Sequence, residues 1–184
     1  MLNKKGLSLA ETIVVLVLIC ILLLSVYSVY LIFLTSINYD MERYSIYAQV
    51  NYALDDIKLR SLSASSIRDN SLFTYGSGEV KNRMEFTGEK DIYKVTPDDL
   101  SDDVTYTYTI DNNAFVLLSS DGSREVLIEG RYKPVVEFMY RDSDEPNFMT
   151  VSITATGTKN FGKDTAKISK TEGVRFWFVD VVRK

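Results

Sequence analysis

The sequence has no histidine and one cysteine, Cys20. Without histidine the chain lacks the side chain whose charge most readily changes near neutral pH, and also the commonest transition-metal ligand. A single cysteine permits no intrachain disulfide and excludes a thiolate zinc site. Proline and glycine are both missing from residues 7–75, so nothing in that stretch forces a turn or a helix break. Charge of neither sign dominates, with 21 basic against 25 acidic residues, and the basic footprint of a nucleic-acid binder is absent. The 12 tyrosines and nine phenylalanines suit a folded, sheet-rich domain and are too many for a disordered tail. At 184 residues the length fits one globular domain with an additional element.

Charge disappears altogether between residues 12 and 39. Residues 13–24 are unbroken apolar sequence, and the run continues to residue 34. That exceeds the ~20 residues a helix needs to cross a bilayer. Val and Ile are mediocre helix formers in water, but in lipid a helix is the way one segment satisfies its own backbone. Lys4 and Lys5, ahead of the run, predict a cytoplasmic N-terminus and an extracytoplasmic remainder. A secretory signal peptide or plain signal anchor has the same composition. Three features argue otherwise. Glu11 stands at the mouth of the run, where a carboxylate drawn into lipid costs about 2.5–3.5 kcal/mol. Gly6 separates the basic leader from the run. The uncharged segment also passes without a loop into an amphipathic stretch. There Ile37, Met41, Tyr44, Tyr47, Val50, Leu54 and Ile57 recur at steps of three or four, which predicts one apolar stripe on a helix. One helix from about residue 8 to about residue 62 is expected, on the order of 80 Å long at 1.5 Å per residue.

The leader residues Lys4, Lys5, Gly6, Leu7, Ser8, Leu9, Ala10, Glu11 and Thr12 resemble the class III signal of type IV prepilins and pseudopilins. In that family a basic leader ends in Gly, a large apolar residue follows, Glu lies five residues after the Gly, and about twenty apolar residues come next. The resemblance implies cleavage between Gly6 and Leu7 by a prepilin peptidase and N-methylation of the new Leu7 amine. It also implies pairing of Glu11 with the Leu7 ammonium of a neighbouring subunit, and association with other pilin subunits and an inner-membrane assembly platform. Two departures are visible. Ala10 stands where many members carry Ile or Leu. No proline interrupts the helix about twenty residues into the mature chain, which suits a minor subunit better than a major one.

Past residues 61–66, which are small and polar, the period changes from helical to two-fold. Residues 104–110 alternate strictly, 111–113 are turn chemistry, and 114–120 read as the return strand. An Asp121-Gly122 turn leads to a strand at 124–129. Further strands are predicted at 135–140, 149–155 and 174–182, with a polar loop at 141–147. Five or six strands joined by hairpins predict one largely antiparallel sheet with a face on the helix stripe. This order resembles the W-type minor pilins and J-type minor pseudopilins. The expected fold class is therefore α+β and type IV pilin-like, with a long N-terminal helix on a mainly antiparallel sheet. The expected divisions are a cleaved leader at 1–6, a membrane or filament-core half-helix at 7–34, an amphipathic half-helix at 35–62 and a β-rich extracytoplasmic domain at 63–184.

Other candidate sites have plainer explanations. Asp98, Asp99, Asp102 and Asp103 offer carboxylates for calcium, but EF-hand spacing is missing and a solvated acidic loop accounts for them. Asp142, Asp144 and Glu145 read the same way. Tyr75 to Gly78 is too short for a phosphate cradle. Ser119 and Ser120 beside Asp121 are better explained by turn chemistry than by a nucleophile. Trp177 lies between Phe176 and Phe178 on an expected strand, and Cys20 reads as a small apolar residue. No cofactor, metal site or catalytic machinery is expected. The expected role is a structural subunit in the cytoplasmic membrane that later joins a surface filament. An uncleaved single-pass anchor displaying a ligand-binding β domain is the alternative, and a secreted enzyme behind a signal peptide is the weakest.

Overall fold

The computed structural model describes residues 8–66, 80–90, 103–140, 148–159 and 164–176. The chain divides into two compact units, Met1–Asp40 and Met41–Lys184. In the first unit the described residues are almost entirely helix, because α1 runs from Leu9 to Ser61 over 53 residues. This matches the expected single helix closely, and the absence of Pro and Gly permits it to run unbroken.

The second unit holds the end of α1 and nine strands among the described residues. These are β1 (Ala64–Ser66), β2 (Val80–Lys81), β3 (Met84–Glu89), β4 (Asp103–Asp111), β5 (Ala114–Ser119), β6 (Arg124–Ile128), β7 (Val135–Tyr140), β8 (Phe148–Thr156) and β9 (Lys167–Arg175). The α+β layout with antiparallel pairing is as expected. The expectation of one sheet is not met. Among the described residues there are two, ordered β1-β3-β4-β5-β6 and β2-β7-β8-β9, and each of their pairings is antiparallel. The chain leaves the first sheet after β6 through a short 3-10 turn at Gly130–Tyr132, where Lys133 takes a left-handed φ of 42°.

Hairpin chemistry places the turns. Asn112 and Asn113 have φ of 50° and 63°, the mirror-image turn that joins twisted strands after two residues. The register follows, with Asp111 opposite Ala114 and Tyr108 opposite Leu117. At the next hairpin Gly122 has φ of +92°, which a side chain would strain.

Alternation sorts β4 and β8 into a core face and an outer face, while consecutive residues of β3 and β5 are buried. Tyr106 and Tyr108 of β4 are buried while the intervening threonines are half-buried. Met149, Val151, Ile153 and Ala155 of β8 are buried in the same way. Aromatic contacts join the sheets. Phe115 of β5 lies 6.4 Å from Phe138 of β7, and Phe86 of β3 lies 5.6 Å, edge on, from Phe176 just after β9.

The helix face on this core differs from the stripe expected. Its buried residues are Ile46, Val50, Ala53, Leu54, Ile57 and Ser61. Ile37, Met41, Tyr44 and Tyr47 are exposed, with Tyr44 at 74%. At 3.6 residues per turn a three-residue step falls about 60° short of a full turn. Three such steps in succession, from Met41 to Tyr44, Tyr47 and Val50, turn the row through about half a circle. The early members therefore point away from the late ones.

The closing strand also differs from expectation. It is β9 at Lys167–Arg175, earlier than 174–182, and residues 177–184 lie outside the described residues.

Candidate assembly and membrane site

Gly6 and Leu7 lie outside the described residues, and Glu11 stands in the first turn of α1. Its carboxylate accepts a hydrogen bond from the Ser8 backbone N–H at 2.8 Å, and the Glu11 N–H donates to Ser8 Oγ at 3.3 Å. This is a reciprocal capping box, in which residues three apart satisfy two helix-end donors. Ser8 to Glu11 carries the S-x-x-E pattern of this box. It gives the acid an intrachain role as a helix cap, beside any role between chains. A carboxylate at this end also complements the helix dipole.

Beyond the cap the helix is apolar and uncharged as far as Tyr39, and four of its hydroxyls are satisfied within the helix. Thr12, Ser25, Ser28 and Thr35 each donate to the carbonyl four residues earlier, at 2.8 to 3.2 Å. Such back-bonding lets a hydroxyl sit in hydrocarbon without an orphaned donor. The large side chains from Leu9 to Phe33 are exposed, and none of the most apolar stretch is buried within the chain. The chain thus carries one N-terminal helix long and apolar enough to cross a membrane. Cys20 is exposed on this helix among apolar neighbours.

In the second unit, polar side chains line both flanks of the buried helix face. On one flank Ser45 meets the Tyr132 hydroxyl at 3.0 Å. Gln49 accepts from the Glu129 N–H at 3.0 Å and donates to its carboxylate at 3.3 Å. Tyr52 donates to Glu125, and this bond, then burial, pushes the Tyr52 hydroxyl up to about 12. Asp56 accepts from Tyr108 at 2.8 Å and from Arg60 at 2.9 Å. Burial pushes the Tyr108 hydroxyl well above its ordinary value, and the Asp56 carboxylate adds to the rise. Arg60 also lies over the Tyr106 ring at 4.9 Å and reaches Glu125 at 3.7 Å. On the other flank Lys170 donates to Asn51 at 2.8 Å and to Glu172 at 3.1 Å, Lys58 pairs with Glu172, and Ser61 reaches the Arg175 carbonyl at 3.3 Å.

Of the remaining candidates, those within the described residues belong to a turn and a strand. Ser119, Ser120 and Asp121 form the β5–β6 turn. The Ser123 backbone N–H holds the Asp121 carboxyl down at about 2, and Gly122 N–H donates to the Ser119 carbonyl. Asp103 is the first residue of β4, while 98–102, 142–145, 75–78 and Trp177 lie outside the described residues. Glu42 has one buried carboxylate oxygen without a hydrogen-bond partner among the described residues. Its other oxygen would lie 2.7 Å from a Cβ placed on Gly157. No group of three or more metal-ligating side chains occurs among the described residues. Comparison with family models, with curated proteins and with solved structures returns no match.

Proposed function

We propose that this chain is a structural subunit of a type IV pilus-like filament, of the minor or priming kind. It is inserted with Lys4 and Lys5 in the cytoplasm, cut after Gly6 by a prepilin peptidase, methylated on Leu7 and recruited through α1. The observation that carries the reading is a bare, uncharged helix surface with one acid at its entrance, borne on the same helix whose later turns dock on the β-sheets. Lipid covers such a surface before assembly and the helices of other subunits cover it afterwards. The Glu11 carboxylate gives the helix start a negative group that a neighbour's Leu7 ammonium complements. In low dielectric that pair fixes one axial register.

A second reading has its own support. The Ser8–Glu11 cap accounts for the acid within one chain, as in an uncleaved anchor that displays a β domain. The mass of the mature N-terminus separates the two readings. N-methyl-Leu7 is expected for the first, and intact Met1 overturns it in favour of the second.

A further inference from the structure

The polar contacts between α1 and the sheets have an order that fold stability alone does not require. Ser45, Gln49, Tyr52, Asp56 and Arg60 recur at steps of three and four, so they form one row along a flank of the helix. Each meets a side chain or backbone group of β4, of β6, of Glu129 or of the Gly130–Tyr132 turn that follows it. Asn51, Lys58 and Ser61 form a second row on the flank facing β9. The apolar ridge of Ile46, Val50, Ala53, Leu54 and Ile57 lies between the rows. From residue 45 to residue 61 the contacts extend over about 24 Å of helix at 1.5 Å per residue.

We infer that this double row is a mechanical clamp that resists tension carried along α1 into the β-sheets. The contacts reach sideways from the helix to residues of the strands. A pull along the helix axis therefore strains all of them together. A pull that lifts one end strains them one after another and meets less resistance. The hydrogen bonds and ion pairs add directional resistance to the ridge, whose apolar contact is non-directional. The source of tension rests on the reading above, in which the first unit is held in lipid or in a filament. The clamp itself is a property of the second unit.

The test is single-molecule pulling on the full chain in detergent micelles, in a Cys20→Ser background. Handles on Met41→Cys and Ser123→Cys pull along α1. The β5–β6 turn lies at the Arg60 end of the seam, where Ser120 N–H meets the Thr105 carbonyl and Arg60 covers Tyr106. Handles on Met41→Cys and Arg131→Cys lift the near end, because Arg131 flanks Glu129 and Tyr132, the partners of Gln49 and Ser45. The expected result is a higher rupture force in the first geometry. Gln49→Ala with Glu125→Ala should lose that difference, and Asn51→Ala should reduce it. Ile57→Ala should lower both forces and keep the difference, which separates the clamp from general destabilisation. Equal forces in the two geometries, or a difference that survives loss of the polar row, overturn the inference. Either of those outcomes leaves the N-terminal mass, and the reading it tests, unchanged.

Discussion

Glu11→Gln separates the two roles that the Glu11 carboxylate can play. Glutamine keeps an acceptor oxygen, so it can still take the Ser8 N–H bond now 2.8 Å long, and S-x-x-Q is itself a capping box. What it loses within the chain is the favourable meeting of charge and helix dipole, about 0.3–1 kcal/mol. Under the capping role alone, incorporation into filaments should therefore stay within about fivefold of wild type, since 1.4 kcal/mol is tenfold. Under the pairing role the glutamine leaves a neighbour's buried ammonium without its counter-charge. Breaking a buried pair from one side costs about 3–5 kcal/mol, which corresponds to a loss of about a hundredfold or more. The two outcomes differ enough for immunoblots to separate them. The measurement is the variant's share in sheared surface filaments against its share in membranes, with the N-terminal mass confirming that cleavage is intact. Glu11→Ala serves as the control that loses both roles. Membrane insertion of either variant should be equal to or better than wild type, because a charge has left the edge of the lipid. Wild-type incorporation of Glu11→Gln would refute the pairing argument and leave the acid as a cap.

Three further outcomes follow from the second unit. Tyr108→Phe removes a buried hydroxyl from Asp56, which keeps Arg60 at 2.9 Å; the loss should be about 1.5 kcal/mol, the low end for a bond to a charged group, seen as a lower urea midpoint with unchanged slope. Hydrogen bonds from Lys58, then from Lys170, hold Glu172 below the ordinary carboxylate range. A depressed folded value contributes stability above the unfolded one and loses it as pH falls through the folded one, so Glu172→Gln should flatten the acid limb of the stability curve and change little in its shape near pH 7. An unchanged acid limb would remove that pair from the account. Deleting residues 1–34 should leave a soluble, folded monomer, because Ile46, Val50, Ala53, Leu54 and Ile57 remain on the sheets; loss of the near-ultraviolet circular dichroism together with strong light scattering would count against it.

Some of this molecule was legible residue by residue. Residues 7–75 contain neither Pro nor Gly, and α1 runs through Leu9–Ser61. The Thr-Tyr alternation of β4, the Asn112-Asn113 turn and the Asp121-Gly122 turn were each recognisable, because these features are set within a few residues by backbone sterics and side-chain period. The Ser8–Glu11 capping box is equally local, since it needs only two residues three apart.

Other features depended on contacts that no local pattern encodes. Met84–Glu89 carries two glutamates and a glycine and does not read as a strand. It becomes β3 by pairing along its whole length with β4, Met84 opposite Tyr108 and Glu89 opposite Asp103, and Gly88 lets the chain approach the Ser63 carbonyl, which an added Cβ would meet at 2.9 Å. Lys167–Arg175 looks like a polar loop, yet it is an edge strand whose inward Lys170 and Glu172 are satisfied by α1. Inward charges on an edge strand also discourage pairing with other sheets. Which side of α1 is buried was decided the same way. The apolar residues from Met41 to Val50 wind around the helix, and the sheets select the side bearing Ile46, Val50 and Ala53. The sequence by itself thus determined where the chain is helical, where it turns and which segment is bare of charge, since these follow from neighbours along the chain. Only the tertiary structure decided the division into two sheets, the buried helix face and the partners of the charged strands, since each is a choice among surfaces that meet only after folding.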